Sequence, residues 1–414
     1  MRRLIAVITI FTIAGFVQHC AALQADPSIT LQERVDAHLE TVEADLIAFR
    51  RDLHRHPELS GQEKRTAGAV AKHLKALGLE VRERVGGYGV VALLKGAKPG
   101  PIVAFRADMD AVRSNQPDPV SFASEKPGIR HICGHDIHTT VGVALAEGLH
   151  AVQDDLQGSV LFIFQPAEES VQGARAMIDD GALENPRPDA IFAYHTAPIE
   201  AGKLGSKAGI MMAARDRFTI VLKGESLEGV VNTLKADLNN LTTLEPGQTS
   251  ATGDFAQVFV FNALSMTGEN AWQINGGITL AGTAMRDQMQ HRIAALLATL
   301  KEQGVASTFE YAETNAAGVT NDPALEKASH APIQSVLGEG AIQTLNSVPT
   351  PFSEDFGLFQ KHVPGVMYFL GVANSQKGWV GMPHTPDFVA DEAAIFHGAR
   401  AMAAVFIKLM EDKR

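Results

Sequence analysis

The chain has 414 residues, 45% of them hydrophobic and 20% charged, with a formal net charge of -11. That balance describes a globular protein rather than a disordered or fibrous one, and an acidic surplus without a basic stripe excludes nucleic acid as a partner. The length exceeds one ordinary core, so two domains are expected.

The first 25 residues differ from the rest. Met1-Arg2-Arg3 is a charged start, residues 4–17 form an apolar run, and small residues follow at Ala22 and Ala25. This reads as a signal peptide removed on export, which would place the mature protein in the periplasm or outside the cell. The apolar run is short for a bilayer crossing, so no stable membrane span is expected after cleavage. Of the two cysteines only Cys133 would then remain, which leaves no internal disulfide.

Apolar residues at helical spacing predict an amphipathic helix over 30–55, stopped by Pro57, and a second over 64–77 that ends at Gly78. Short apolar runs at 90–94 and 102–105 read as strands, and the second leads into Asp108 and Asp110. A helix is expected over 139–152. The runs 159–164 and 190–194 are apolar on both faces, as buried sheet strands are. They end at Glu168-Glu169 and at His195. Alternating strands and helices imply a layered α/β sheet, and in such sheets ligands bind beyond the strand C-termini.

From residue 215 the rhythm changes to β-α-β-β-α-β: strands at 218–222, 255–261, 278–285 and 308–311, helices at 230–241 and 289–303. That order is ferredoxin-like. It predicts an inserted lid or dimerisation domain over 215–314, flanked by two halves of a catalytic domain, 26–214 and 315–414. A buried strand at 365–370 and a final helix over 392–410 complete the second half.

The chemistry concentrates at residues 130–139, where Cys133 and His135 stand two apart. On an extended segment both side chains leave the same face, so a thiolate and an imidazole could share one soft or borderline metal ion. Glu168, Glu169 and His195 at strand ends, with the late His384, supply further donors. Together they could hold two ions, one member of the Glu pair ligating and the other facing a water as general base. Each residue alone has a structural explanation. A cysteine is often a small buried hydrophobe, an adjacent Glu pair a solvated loop, and helical histidines such as His38, His73 and His291 surface residues. Their joint occurrence carries the reading.

Six stretches, in order, now matter: Gly-Pro-x-x-Ala-Phe-Arg-Ala-Asp-Met-Asp-Ala (100–111), Cys-Gly-His-Asp-x-His-Thr (133–139), Phe-Gln-Pro-Ala-Glu-Glu (164–169), Tyr-His-x-x-Pro (194–198), Ser-Glu-Asp-Phe (353–356) and Pro-His-Thr-Pro-Asp-Phe (383–388). From residue 50 to the last helix the chain resembles the di-metal amidohydrolases that include hippurate hydrolases, indole-acetyl-amino-acid hydrolases and bacterial N-acyl-amino-acid amidohydrolases. The resemblance implies a zinc-exopeptidase-type α/β catalytic domain with a ferredoxin-like lid. It implies two divalent ions (zinc, manganese, cobalt or nickel) on Cys133, His135, Glu169, His195 and His384, with Glu168 as general base. By the same resemblance Asp108, Asp110 and Asp136 orient ligands, Arg106 is structural, and Arg286 and His138 are candidate substrate contacts.

The lid departs from that pattern. Where the family has a Gly-rich segment carrying a histidine, residues 224–229 run straight into the helix, and no histidine lies between His195 and His291. The segment 271–276 also differs. The expectation is hydrolysis of an N-acyl amino acid amide, hippurate-like or auxin-conjugate-like. The alternatives are a ligand-binding homologue with impaired catalysis, and a di- or carboxypeptidase of the same chemistry. A homodimer is expected through the lid.

Overall fold

The computed structural model describes residues 29–412 except 246–247, 249, 251–252, 267–269, 283 and 350–351; the signal read at residues 1–25 lies outside the described residues. In chain order the principal strands are β1 (Glu80–Val85), β2 (Gly89–Lys95), β3 (Lys98–Asp108), β4 (Gln157–Gln165), β5 (Ala190–Glu200), β6 (Leu204–Ser206), β7 (Ala214–Lys223), β8 (Phe255–Met266), β9 (Ala271–Ala281), β10 (Ala306–Glu313), β11 (Ile342–Thr344) and β12 (Gly365–Ala373). The longer helices are α1 (Leu31–Arg55), α2 (Lys64–Ala76), α3 (His135–His150), α4 (Glu228–Asn239), α5 (Met285–Glu302), α6 (Pro323–Leu337) and α7 (Ala393–Asp412).

An eight-stranded mixed sheet runs in the order β1-β2-β4-β3-β5-β12-β6-β11. Its centre, β4-β3-β5-β12, is parallel, and these are the strands that read as apolar on both faces. Parallel strands need helical crossovers, so both faces are covered. On one face α1, α2, α3 and α7 close a core around Phe105, Phe162 and Phe192. The other face buries Ile163, Ile191 and Met367 beneath shorter segments. Helix α1 begins with a capping box between Thr30 and Glu33 and buries Val35, Leu39, Leu46 and Leu53. Each such side chain contributes about 1.5–3 kcal/mol relative to exposure. Among the described residues, α7 is the one helix long and apolar enough to cross a membrane, yet 67% of its apolar window is buried.

The β-α-β-β-α-β segment forms its own antiparallel sheet, β8-β9-β7-β10. Helices α4 and α5 cover one face through Val231, Leu234, Leu238, Ile293 and Leu297. Strand β9 runs 271–281 rather than the expected 278–285, so Trp272 to Asn275 pair within the sheet and α5 starts at Met285. Gly276 and Gly277 interrupt its apolar pattern because aromatic rings need their space. A Cβ on Gly276 would sit 2.1 Å from Phe218 Cζ, and one on Gly277 2.6 Å from Phe261 Cζ.

Candidate active site

Helix α3 starts at His135, four residues earlier than expected. Gly134 caps it in the left-handed region, at φ +89°, where a side chain would also strike Thr196 Cγ2 at 2.7 Å. This turn separates Cys133 from His135 while keeping both at the edge of the parallel sheet. The sheet register sets the opposite wall: Asp108 pairs with Gln165 and His195 with Phe369. The strand ends of β3 and β4 and the middle of β5 therefore meet the start of α3.

Donor atoms of Cys133, His135 and His195 lie within 4.8 Å of one another, as do those of Cys133, Glu169 and His384, and those of His135, Glu168 and Glu169. Cys133 Sγ is 3.6 Å from His195 Nε2, and His384 Nε2 is 3.1 Å from Glu169 Oε1. His195 Nδ1 donates to its neighbour's carbonyl, Thr196 O, at 2.9 Å, which turns the Nε2 lone pair toward Cys133. His135 Nδ1 is held by Asp110 at 3.2 Å. Its Nε2 is buried without a hydrogen-bond partner and faces Glu168 at 3.7 Å and Glu169 at 3.8 Å. A buried imidazole nitrogen aimed at two carboxylates, beside a thiol, suits a cation better than an empty space. His384 is the exposed member and sits at φ +68°, in the left-handed region that non-glycine residues adopt uncommonly.

The Glu pair rides on a turn with positive φ at Ala167 and Val171. Asp110 fixes that turn: its two oxygens accept from Glu168 N at 3.2 Å, Glu169 N at 3.0 Å, Ser60 Oγ at 2.6 Å and His135 Nδ1. Glu63 fixes it from the other side. Wholly buried, it accepts from Gly61 N and Ala167 N, each at 2.8 Å.

The electrostatics follow from crowding these groups away from water. Burial, then the charges of Glu354 and Glu169, push the Glu168 carboxyl well above its usual range. Burial and Glu169 do the same to the Cys133 thiol, and burial holds His195 down at about 4. Burial would also depress His135, but Asp108 and Asp110 overcome it and raise the ring to about 10. Positive charge supplied at this point would relieve every one of these shifts except those of the imidazoles, which would bind it as neutral ligands.

The supporting residues divide. Asp108 takes Arg106 and His138 Nδ1, each at 2.6 Å, and Asp110 acts directly on His135 and the Glu turn. Asp136 does not reach the donor cluster. It accepts from Arg50 Nε at 2.7 Å and His54 Nδ1 at 2.8 Å, tying α1 to the start of α3 from behind. Two residues expected to contact substrate are engaged within the protein. His138 is buried, with Nδ1 committed to Asp108 and Nε2 accepting from Thr196 N at 2.8 Å, so neither nitrogen is available to a substrate. Arg286 stays inside the lid, forked onto Asp216 at 2.7 and 3.3 Å and 3.5 Å from Glu313.

Sequence reasoning did not assign Glu63, Glu354 or Asp355 a role. Glu354 and Asp355 are wholly buried beside Glu168 and share Arg106, whose Nη2 donates to them at 2.9 and 3.2 Å. Their motif was visible, but its ionic partner lies nearly 250 positions away.

A chamber of about 330 Å³ lies over the cluster, lined by Cys133, Glu168, Glu169, His195, His384 and Arg215, among others. It adjoins a cavity of about 980 Å³ beneath the open face of the lid sheet, and the two share Glu169, Val171, Arg215 and Ser353.

Residues 104–408 match the model of peptidase family M20/M25/M40. The chain is similar to the N-acetylcysteine deacetylase of Bacillus subtilis, at 32% identity over 88% of this chain and 97% of that protein. It is 30% identical to thermostable carboxypeptidase 2 of Saccharolobus solfataricus, over 91% and 98% of the two chains. The solved structure of the Bacillus subtilis YXEP protein, a dinuclear metal binding peptidase, superposes with a TM-score of 0.76 at 29% identity, covering 90% of this chain and 99% of that one.

Proposed function

Because the chain belongs to peptidase family M20/M25/M40, a hydrolase of amide bonds, we propose that it cleaves the amide of N-acyl amino acids with Glu168 as general base. Cys133, His135, Glu169, His195 and His384 would hold two divalent ions, which when bound supply Lewis acidity that acidifies water and polarises the amide carbonyl. The observation that carries the reading is the placement of Glu168. Its carboxyl is buried beside the donor cluster and opens on the 330 Å³ chamber. There it takes the proton of the attacking water and returns it to the leaving amine nitrogen. Burial and the Glu354 charge favour the protonated form while the donors are without cations; positive charge held by the neighbouring ligands would counter this and leave the carboxylate able to accept the water's proton. Asp110 keeps the Glu turn and His135 in register, and His138 braces the strand at Thr196 from the closed side. The donor set of one thiol, three imidazoles and a carboxylate suits zinc, cobalt, nickel or manganese better than magnesium.

The test is turnover of N-acyl amino acids by protein loaded with each of these metals. Glu168→Gln should lower kcat by on the order of a hundredfold or more while leaving metal content intact; undiminished turnover in that variant would sink the mechanism. Two further readings have support. The similarity to a carboxypeptidase favours peptide substrates, and a dipeptide panel run beside the N-acyl panel separates them. The short connection at 224–227 between β7 and α4 favours a ligand-binding homologue with impaired catalysis, which high turnover on any simple amide would exclude. Export and a homodimer belong to the same proposal. Amino-terminal sequencing of the mature protein and light scattering test them.

A further inference from the structure

The chamber over the donor cluster has nine lining residues among those described, and five of them are Glu168 or the metal donors Cys133, Glu169, His195 and His384. Of the others, Val171 and Phe352 are apolar, Ser353 offers a hydroxyl, and Arg215 is the one permanent cation. That arginine comes from the lid, as the second residue of β7. Alternation along the strand puts Arg215 and Arg217 on the same face, and the Asp216 between them is taken up by Arg286 and Tyr311. Arg217 is exposed and lines the larger cavity but not the chamber, whereas Arg215 is half-buried and lines both. The root of the lid pins Arg215. Its backbone N–H donates to Ala316 O at 2.9 Å and its carbonyl accepts from Thr314 Oγ1, so the outgoing and returning segments clasp each other at this residue. Just outside, residues 209–212 pair with 319–321, and a Cβ on Gly318 would lie 2.8 Å from Ala214 N, which leaves the crossing no slack. Burial lowers the pKa of the Arg215 guanidinium, yet an arginine stays charged at neutral pH. A cation withdrawn from bulk water acts more strongly on charge that develops beside it.

We propose that Arg215 is a further catalytic residue, whose guanidinium donates to the oxygen of the scissile carbonyl as that oxygen gains negative charge. The inference rests on the amidohydrolase reading above. As water adds, its oxygen bonds to the carbonyl carbon, its proton passes to Glu168, and the π pair of the carbonyl moves onto the carbonyl oxygen. That charge develops in the chamber that Arg215 lines. When the pair returns, the C–N bond breaks and the amine nitrogen takes the proton from Glu168. Arg215 keeps its own protons throughout, as a group that stabilises charge without titrating must. A cation here could instead anchor the substrate's carboxylate. Position argues against that use for Arg215, which shares the smaller chamber with Glu168. Arg217, two residues and about 7 Å farther along the strand, stands in the wider space where a carboxylate remote from the scissile bond would lie. The two uses also differ in energy. An anchor holds substrate and transition state alike, whereas a donor to the carbonyl oxygen acts chiefly on the transition state.

The experiment uses metal-loaded protein, N-acetyl-L-alanine, and a phosphinate analogue whose tetrahedral phosphorus and a methylene replace the carbonyl carbon and the amide nitrogen. Arg215→Ala should lower kcat by on the order of a hundredfold, with KM within about threefold of the parent and metal content intact. Arg215→Met, which keeps the apolar stem, gives the same comparison should the alanine variant fail to fold. Arg217→Ala removes a neighbouring charge outside the chamber and should leave kcat within about twofold. Calorimetry supplies a readout other than turnover. The phosphinate should bind Arg215→Ala about a hundredfold more weakly than it binds the parent, while N-acetyl-L-alanine binds Glu168→Gln and the Glu168→Gln/Arg215→Ala double variant alike. Unchanged kcat in both Arg215 variants would overturn the proposal. So would a raised KM at constant kcat, which would make Arg215 a carboxylate anchor, or a loss of metal, which would make it structural. An equal fall of kcat in Arg217→Ala would assign the effect to the general field of the cavity and overturn it too. The binding measurements also keep the two readings apart. If no amide is turned over, selective weakening of the phosphinate still supports the role of Arg215, and equal weakening of both ligands refutes it.

Discussion

Asp110 is the residue whose replacement should reveal most about how the site is held. Its Oδ1 accepts from His135 Nδ1 and Glu168 N, and its Oδ2 from Ser60 Oγ and Glu169 N, all in a wholly buried setting. Asp110→Asn keeps the shape but replaces one oxygen with an amide NH2; turned toward Ser60 Oγ, which can rotate to accept from it, the NH2 still faces the Glu169 N–H. At least one hydrogen bond to a charged acceptor is lost, a cost of about 1.5–3 kcal/mol. Part of that should appear as reduced stability of the metal-free protein in urea. The rest should appear as a disordered Glu turn and a freely rotating His135, with metal affinity down by about 10–100-fold. Ser60→Ala removes one contact to the same carboxylate and should cost about 1.5–3 kcal/mol, with little effect on metal. Paired urea titrations and calorimetric metal titrations read both quantities. Asp110→Asn with metal affinity and stability both within twofold of the parent would refute the role given to Asp110.

Further outcomes follow from the same physics. Burial raises Glu63 from its ordinary 4.5 to about 7, so the folded state binds more protons than the unfolded state between those values. Its stabilising contribution is complete below pH 4.5 and is lost as pH rises through 7, a difference of about 3 kcal/mol. Glu63→Gln retains the oxygen that accepts from Gly61 and Ala167, so it should unfold later than the parent at pH 8 and alike at pH 4.5; equal urea midpoints at pH 8 would contradict this. Glu147 is drawn down to about 2, since hydrogen bonds from His38 and His73 outweigh its burial. Its contribution is present above pH 4.5 and fades toward 2, and Glu147→Ala should lose roughly 2 kcal/mol at pH 7 in chemical unfolding. Gly134→Ala places a methyl 2.7 Å from Thr196 Cγ2 at φ +89°, and should weaken metal binding by at least tenfold, as read by competition with a chelator.

Much of this was legible along the chain. The four central strands were visible because parallel strands are buried on both faces and leave unbroken apolar runs. The cluster at 133–138 announced itself by composition. What escaped notice depended on partners distant in sequence or on polar surfaces. Strand β1 is mostly charged and pairs only with β2. Helix α6 carries Pro332 within it, which argues against a helix from local pattern alone. His38 and His73 looked like surface residues, yet both clasp Glu147, at 2.9 and 2.7 Å, and join three helices. Arg286 suggested a carboxylate ligand, and it has one, but the carboxylate is Asp216 of the same lid, 70 positions away. His138 was drawn into the pocket by its motif, although a single rotamer spends both its nitrogens on Asp108 and Thr196.

The wiring of Arg106 has a consequence for how the molecule is made. This cation, wholly buried in β3, is neutralised by Asp108 two positions on, and by Glu354 and Asp355, 248 and 249 positions on. Strand β12, which completes the parallel centre, lies later still. A chain emerging from the ribosome can therefore close its lid, whose strands span residues 214–313, long before the larger sheet can settle. Until the last sixty or so residues are released, Arg106 has only part of its counter-charge and β5 lacks a neighbour, so the catalytic half must stay open and exposed while the lid is already formed. Such a chain is vulnerable late in synthesis, and a truncation near its C-terminus should yield an insoluble product.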